Sequence, residues 1–403
     1  MSARPNPIRT VERHTAGAFA DRFGMTPAAL AHAPGRLNLM GDHTDYCGGL
    51  ALPIAISVGA AAAVALNPAA RAAPARAQLL AIDLNESCDA PLDPVALDAE
   101  LPSLPAWVAY AAGALAESAD EPLRQRGVRL AFSSSVPIGS GLSSSAAITL
   151  ACLLAARSLT DPDAADHLRD PARREALARS AQRIEHRYAG VPCGLLDQRA
   201  IVGGLRDAAQ RLDFATGTAE LVPIPARIRF LIIDTGIRRR NADGRYAAIQ
   251  AAADQAARRL GIEHLALAAP KSLTALPPDI LPTARHVVEE SARVDDFIAA
   301  LRAHDPARLG QLADASHASL SGLLGVSTPE IDRMADAARS VPSVLGVRLT
   351  GAGLGGCMVA LVHQHADNPA RDIAGAIRSA GFEGVRVWEE TASDGCGVVA
   401  DLD

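Results

Sequence analysis

The segment Val136-Pro-Ile-Gly-Ser-Gly-Leu-Ser-Ser-Ser-Ala-Ala147 indicates the fold, because it joins a strand pattern to a helix pattern through small residues. Residues 128–132 predict a strand, and residues 143–157 predict a helix led by serines that can cap it. Gly139 and Gly141 let backbone amides approach a ligand closely, and a helix N-terminus favours an anion. The segment therefore predicts a phosphate-binding loop without a lysine. A small-residue turn with a capping serine is the alternative.

Length and composition indicate a globular chain of two domains. The 403 residues exceed the roughly 250–300 at which single cores stop growing. Hydrophobic residues make up 49% and charged residues 21%, which excludes a disordered chain. The net charge of −6, without a basic block, makes nucleic acid an unexpected partner. The single lysine, Lys271, follows Pro270, which excludes a phosphate loop ending in Gly-Lys-Ser/Thr.

Cysteine placement and one uncharged run bear on the compartment. The six cysteines are scattered without metal-binding spacing and are typical of free thiols in a reducing cytoplasm. The opening residues show no apolar core of a signal peptide. Residues 46–70 carry no charge and are long enough to span a membrane, but Gly48, Pro53 and Gly59 interrupt them. Buried strands fit this pattern better, so we expect a cytoplasmic protein without membrane association.

The remaining pattern predicts an α+β architecture. Helices are expected over 8–23, 172–188 and 246–260, and an exposed connection over 68–78. Strands are expected over 50–56, 59–66, 229–234, 346–349, 357–362, 385–388 and 397–400. A proline-containing connection over 213–228 precedes a fresh strand. It divides the chain into predicted domains 8–213 and 214–403.

A second motif, Gly35-Arg-Leu-Asn-Leu-Met-Gly-Asp-His-Thr-Asp-Tyr46, brings Arg36, Asp42, His43 and Asp45 within ten residues. In an extended segment, His43 and Asp45 project to the same side. Carboxylates and an imidazole converging on one pocket suit a polyhydroxylated ligand, because each can hold a hydroxyl group. A polar surface turn or a cation site is the alternative, although nothing nearby in the sequence completes a coordination set.

A third motif, Glu185-His-Arg-Tyr-Ala-Gly-Val-Pro-Cys-Gly-Leu-Leu-Asp-Gln198, contains Gly190 and Pro192, which end one helix before another begins. Glu185 and Asp197 then lie on different elements, where one could hold magnesium and the other abstract a proton. The dipole favours the charged form of an Asp in a first helical turn, so a partner or pocket must adjust its basicity. A helix cap for Asp197 and an exposed charge for Glu185 are the alternatives.

A fourth motif, Leu349-Thr-Gly-Ala-Gly-Leu-Gly-Gly-Cys357, lies between two predicted strands. Its glycines allow a tight backbone path near a ligand. A dinucleotide-binding loop is disfavoured, because a strand and not a helix follows.

Together the four segments resemble the GHMP kinases and, within them, the galactokinase family. Residues 35–46 are close to that family's signature, and the other three motifs stand in the family order. Weaker similarity appears over 285–294, 316–320 and 329–332, so the resemblance runs from about residue 31 to about residue 362. It implies the α+β, two-domain GHMP kinase fold with the active site in the cleft between the domains.

The resemblance also implies a reaction and its residues. The expected reaction is ATP- and Mg²⁺-dependent phosphorylation of the C1 hydroxyl of D-galactose, with Asp197 as catalytic base and Arg36 as the charge stabiliser beside it. The expected partners are a small sugar and ATP, and a monomer is the simplest assembly. The sugar-contacting positions are Asp42, His43, Asp45, Gly194 and Tyr246. The ATP-contacting positions are Pro137, Gly139, Ser140, Gly141, Leu142, Ser143, Ser144 and Ser145, and the magnesium ligands are Ser145 and Glu185.

Three departures from the family pattern concern the sugar. Asp42 stands where galactokinases usually have Glu, and its shorter side chain withdraws a sugar contact. Cys47 replaces the usual Asn, as in N-acetylgalactosamine kinases. The stretch after Tyr246 is Ala247-Ala-Ile-Gln250 and not arginine-rich. These changes preserve the reaction type and leave N-acetylgalactosamine or L-arabinose as alternative substrates.

Two further alternatives are disfavoured by the motifs. A non-catalytic sugar sensor of the same fold would lose residues of the phosphate loop or the base, and here residues 143–147 and Asp197 are intact. A mevalonate or homoserine kinase would lack the Gly-Asp-His-Thr-Asp-Tyr run at 41–46, which resembles the sugar branch.

Overall fold

A computed structural model of the protein describes residues 7–68, 75–118, 123, 126–238 and 242–400. The helices are α1 (Pro7–Phe23), α2 (Pro94–Glu100), α3 (Val108–Ser118), α4 (Ser144–Ser158), α5 (Ala164–His167), α6 (Pro171–Arg187), α7 (Leu196–Val202), α8 (Ala242–Leu260), α9 (Leu281–Arg302), α10 (Pro306–Gly322), α11 (Pro329–Arg339) and α12 (Pro369–Ser379). The strands are β1 (Ala29–Asn38), β2 (Leu50–Ala51), β3 (Pro53–Leu66), β4 (Arg76–Ala81), β5 (Glu86–Pro91), β6 (Val128–Ser134), β7 (Ala208–Asp213), β8 (Ala219–Pro223), β9 (Ile228–Asp234), β10 (Val344–Leu349), β11 (Cys357–His363), β12 (Arg386–Glu390) and β13 (Gly397–Val398).

The strands form three sheets. The first has the order β13-β1-β3-β6-β4-β5, the second β10-β11-β9-β12 and the third β2-β7-β8. Neighbouring strands pair antiparallel, except that β4 runs parallel to β6. The α+β prediction is confirmed.

Several helices begin at the same local signal, a capping side chain followed by proline. Asp93, Asp170, Asp305 and Thr328 each accept a hydrogen bond from a backbone amide in the first turn of the helix that follows. Proline at the first helical position loses nothing, because the amide there has no partner within the helix. The sequence thus fixes where these helices start.

Alanine-rich packing builds the core on both sides of the first sheet. One face packs on α3, α4 and α6, and Phe19 of α1 covers the other face. A cluster containing Leu37, Ile54, Phe230 and Phe297 joins the first sheet to the second sheet and to α9. The two halves of the chain are therefore packed directly against each other.

Strand β3 is longer than the sequence indicates. Two strands were expected over 50–56 and 59–66, whereas the chain forms the short β2 and then the continuous β3. Opposite β3, the register of β1 shifts between Pro34 and Arg36. A Cβ at Gly59 would lie 2.5 Å from the Ala33 carbonyl oxygen. Gly59 therefore accommodates the bulge of β1 and does not end the strand.

The proposed domain boundary at 213/214 falls where β7 ends, in the turn of the β7–β8 hairpin. Strand β13 belongs to the second predicted domain by sequence, yet it pairs with β1 in the first sheet. The division itself stays a prediction. Residues 69–74 of the expected exposed connection, and residues 401–403, lie outside the described residues.

The uncharged run 46–70 contributes the sheet strands β2 and β3, as its interruptions predict. Among the described residues, every helix is too short or too polar to cross a bilayer. The six cysteines are free thiols, as expected.

Candidate active site

The loop predicted to bind phosphate connects β6 to α4, in the strand-to-helix arrangement that the sequence indicates. Within it, Ile138 and Gly139 are exposed, Pro137 is partly buried, and Ser140 and Leu142 are buried. The Leu142 side chain lies in the apolar cluster between the sheets, so only its backbone can face a ligand.

The capping role expected of the serines is wrong for Ser143. Ser143 occupies the N-cap position of α4 with a φ of 63°, but its side chain makes no capping hydrogen bond. Its hydroxyl donates to Asp197 Oδ2 at 2.5 Å, and its left-handed backbone differs from the extended conformation of a capping residue. The first-turn amides of α4 thus lack a side-chain cap and can bind an anion.

Arg36 and Asp197 form the central ion pair of the site. Asp197 lies in the first turn of α7, and its Oδ1 accepts bonds from Arg36 Nε at 2.9 Å and Nη2 at 2.6 Å. Arg36 Nη1 donates to the carbonyl oxygen of Gly141 in the phosphate loop. The Arg36 side chain is 7% exposed and that of Asp197 is 29% exposed. The carboxylate is therefore held rigidly and remains open to a ligand.

Gly35 allows this approach of β1 to the phosphate loop. The Arg36 amide donates to the Leu142 carbonyl oxygen at 3.2 Å. A Cβ at Gly35 would lie 2.7 Å from that same oxygen. Only glycine fits where the two backbones touch.

Glu185 and Ser145 meet on the other side of α4's first turn. The Ser145 hydroxyl donates to Glu185 Oε2 at 3.2 Å, and Gln198 Nε2 donates to Oε1 at 2.8 Å. Burial and the negative charge of Asp197 raise the pKa of Glu185 to about 7. A positive ion would therefore be favoured beside this carboxylate. Within the described residues, no group of three or more acidic, His or Cys side chains forms a metal cluster.

Asp45 and Gly194 touch each other next to Asp197. Asp45 lies in a 3-10 turn over Asp45–Cys47, and its Oδ2 accepts the Leu196 amide at 3.4 Å. A Cβ at position 194 would lie 1.7 Å from the same oxygen. Burial and the charge of Asp197 raise the pKa of Asp45 to about 6. Asp45 is thus a second carboxylate within electrostatic reach of Asp197.

An aromatic group borders Asp45. His43 has a φ of 63°. Its Nδ1 forms a hydrogen bond with the Tyr46 hydroxyl group at 2.9 Å. The Tyr246 ring lies 5.7 Å from His43 and 5.7 Å from Tyr46, measured between ring centroids. Burial and the charges of Asp45 and Asp197 raise the pKa of Tyr246 well above its usual value. The structure therefore brings Tyr246, whose alanine-rich flank was unusual, to the same site.

Asp42 is engaged by protein donors. Its Oδ1 accepts bonds from Asn38 Nδ2 at 2.9 Å and from the Gly351 amide at 3.1 Å. Its Oδ2 accepts Arg348 Nη2 at 2.6 Å. A contact of Asp42 with a substrate stays a prediction. Cys47 lies in an apolar cluster with Ala253 and Ala256, so its side chain packs into the protein interior.

The fourth motif closes the site from the second half of the chain. The Gly351 amide donates to Asp42 Oδ1. A Cβ at Gly356 would lie 2.6 Å from the Ser140 carbonyl oxygen. Gly356 has a φ of 87°, which also favours glycine. Gly356 is therefore required by its backbone contact with the phosphate loop, in agreement with the expected tight path.

Sequence reasoning missed two arginines at the site. Arg238 follows β9, and its Cδ would lie 3.8 Å from a Cβ at Gly139 of the phosphate loop. Its guanidinium is held by Asp234, 1% exposed, which also binds Arg386 at 2.6 Å. Arg348 is fully buried in β10. In the sequence, the arginine run 238–240 and the single charged residue of the otherwise apolar segment 344–349 could have indicated these two arginines.

The fold and the site define a class of enzyme, the GHMP kinases. The model of the GHMP kinases N terminal domain matches residues 107–204, and the GHMP kinases C terminal model matches residues 297–379. The solved mevalonate kinase of Methanococcus jannaschii covers 91% of this chain and 98% of its own, with a TM-score of 0.61 and 19% identity, which shows a shared fold. The α+β, two-domain GHMP kinase fold expected from the sequence is confirmed.

Within this class, the chain belongs to the galactokinase family. The galactokinase galactose-binding signature matches residues 17–66. Galactokinase of Chloroflexus aurantiacus is 36% identical over 354 residues, which cover 86% of each chain. Human galactokinase is 34% identical over 87% of each chain. The structure of Lactococcus lactis galactokinase complexed with galactose matches 94% of this chain and 98% of its own, with a TM-score of 0.80 and 28% identity. The protein is accordingly a kinase with ATP as its substrate, as the resemblance predicts.

Proposed function

We propose that this kinase transfers the γ-phosphoryl group of ATP to the C1 hydroxyl of D-galactose and forms galactose 1-phosphate. The observation that carries the proposal is the contact of Asp197 with both Arg36 and Ser143. This contact places one open carboxylate between the second motif and the phosphate loop. Galactokinase relatives that cover most of the chain support the same sugar.

Asp197 acts in this proposal as the general base. The C1 hydroxyl loses its proton to the Asp197 carboxylate as its oxygen bonds to the γ-phosphorus. The bond from that phosphorus to the bridging oxygen of ADP breaks. Arg36 orients Asp197 through two nitrogens and balances negative charge between base and phosphate loop. Such transfer depends chiefly on positioning and charge stabilisation, which rigid ion pairs provide.

The sugar lies in this proposal beside Asp45, His43, Gly194 and Tyr246. Asp45 lies where Gly194 leaves room, and it is within electrostatic reach of Asp197. A half-buried carboxylate that is bonded to backbone amides alone keeps acceptor capacity for sugar hydroxyls. The aromatic rings of His43 and Tyr246 give the pocket an apolar wall, as sugar C–H faces require.

The nucleotide phosphates lie in this proposal on residues 137–145, with the α4 amides as donors. Arg238 supplies a positive charge beside Gly139. Ser145 and Glu185 fit a magnesium ion, because Mg²⁺ prefers a few hard oxygen ligands completed by substrate phosphates. When bound, the ion neutralises charge on the transferring phosphate. We further propose that the domains 8–213 and 214–403 enclose this site from opposite sides.

A coupled ADP-release assay with ATP and Mg²⁺ tests the proposal. Galactose, N-acetylgalactosamine, L-arabinose and glucose are offered to the wild type, to Asp197→Ala and to a control, Asp279→Ala, which alters an exposed carboxylate. We expect galactose turnover in the wild type and control, and a loss of about 10³-fold or more in Asp197→Ala. Preference for another sugar would reassign the substrate, and activity of Asp197→Ala near the wild type would reject the base.

A further inference from the structure

One buried arginine is hydrogen-bonded to the second motif, residues 35–46. Arg348 in β10 is fully buried and uses each of its guanidinium nitrogens. Nε donates to Ser316 Oγ at 3.0 Å, and Nη1 donates to the Asn38 carbonyl oxygen at 3.0 Å. Nη2 donates to Asp42 Oδ2 at 2.6 Å and to Glu290 Oε1 at 3.4 Å. A charge buried this deeply is stable only when it is fully paired, so its partners are fixed with it.

The backbone of the same motif is bound by the neighbours of Arg348. Glu290 Oε1 accepts the Gly41 amide at 3.1 Å, and His286 Nε2 bonds to the Asp42 carbonyl oxygen at 3.0 Å. Glu290 also pairs with Arg293. Arg348 thus pairs with Asp42 and Glu290, and the contacts of this group reach residues 38, 41 and 42 of the motif.

Asp42 and Asp45 differ in the exposure and in the hydrogen-bond partners of their carboxylates. Asp42 is 4% exposed and accepts three hydrogen bonds, all from this chain. A carboxylate has about four acceptor sites, so three are occupied. Asp45 is more exposed, and its carboxylate is bonded to backbone amides alone, those of Tyr46, of Asp45 itself and, at 3.4 Å, of Leu196. The geometry favours Asp45 as a ligand and Asp42 as a support.

We propose that Asp42 is a positioning residue that works through Arg348, holding the segment that carries His43 and Asp45, and that it makes no direct sugar contact. This inference rests on the proposed sugar site. Its consequence for specificity is that residue 42 affects all sugars by the same factor and selects no single hydroxyl group.

A double-variant cycle tests the coupling of the two residues. Asp42→Asn, Arg348→Met and the double variant are compared by kcat and KM for galactose and for ATP. The double variant removes one charge of each sign and leaves Glu290 paired with Arg293. We expect each single variant to raise the galactose KM by about tenfold or more, with the ATP KM within about twofold. The galactose KM of the double variant should be no higher than that of the more impaired single variant. Effects that multiply would overturn the proposal.

Deoxy sugars separate support from direct contact, even if Arg348→Met does not fold. For Asp42→Asn, galactose is compared with 4-deoxygalactose and 6-deoxygalactose. Positioning predicts that both deoxy sugars keep the same penalty relative to galactose as in the wild type. Direct contact predicts that one penalty disappears. Glu389→Gln, which breaks the ion pair with Arg229 in the second sheet, is the matched control and should leave the sugar KM unchanged.

The outcome is distinguishable from failure of the proposed function. No galactose turnover by the wild type would refute that function. The same additivity test would then decide the positioning role, using the Kd of whichever sugar of the panel the wild type binds.

Discussion

Replacing Asp45 with Asn should make the protein more stable at neutral pH while it damages the sugar site. The pKa of Asp45 is raised from 3.8 to about 6 by burial and by Asp197, so the folded protein binds a proton that the unfolded chain releases. Stability is therefore lost as pH rises from about 4 to about 6, and it is level above that. Asn has nearly the same shape as Asp and no charge, so the variant does not lose this stability as the pH rises.

The size of the effect follows from that difference. At about 1.4 kcal/mol per pH unit, a pKa raised by roughly two units is worth about 3 kcal/mol at neutral pH. This is an upper bound, because Asp45 is partly exposed and solvent screens part of the charge. An unfolding entropy of about 2 cal/mol/K per residue over 403 residues converts it to a rise of about 3–4 °C in Tm.

The assay is thermal unfolding without ligand, from pH 4.5 to 7.5, for the wild type and Asp45→Asn. The Tm of the variant minus that of the wild type should grow by up to about 2 °C over this range, because part of the loss already occurs below pH 4.5. Glu185, whose pKa is raised to about 7, titrates in both proteins and largely cancels in the difference. Parallel Tm curves across the whole range would refute the argument that Asp45 is protonated in the ligand-free site.

Three other substitutions test the site at separate points. Arg36→Ala should lower kcat by about 10²-fold or more, since it removes the charge beside the base; a change in sugar KM alone would contradict that role. Gly194→Ala should raise the sugar KM about tenfold or more, because its Cβ would lie 1.7 Å from Asp45 Oδ2. The control Gly17→Ala, whose Cβ meets nothing within 4 Å, should keep wild-type kinetics and stabilise α1 by about 0.5–1 kcal/mol. Arg238→Gln should raise the ATP KM about tenfold or more without changing the sugar KM, and an unchanged ATP KM would exclude a phosphate contact.

Features that depend on neighbouring residues were predictable from the sequence. The loop at 136–147 indicates its strand and its helix because glycines and serines act locally. The meeting of Arg36 with Asp197, 161 residues apart, came from family resemblance, since nothing in residue spacing predicts it. The family and the fold class are confirmed, and the roles of individual site residues remain predictions.

Features that depend on distant partners were not predictable. Ser143 was expected to cap a helix, but its hydroxyl donates to an acidic side chain of another helix. Gly59 looked like a break, but it faces a bulge of the neighbouring strand. Arg348 lies 306 residues from Asp42, so the sequence shows only a charge in an apolar strand. In each case a tertiary contact overrides the local pattern.

The pairing of β13 with β1 has a consequence for synthesis on the ribosome. Strand β1 emerges well before its outer partner, which lies at residues 397–398. Until residues 397–398 have emerged, β1 is left as an open sheet edge, which invites pairing with strands of other nascent chains. A chain that stops at residue 390 would keep the residues of the proposed site but retain that open edge. We therefore expect truncated chains to aggregate during expression, and soluble yield to fall before catalytic activity per molecule does.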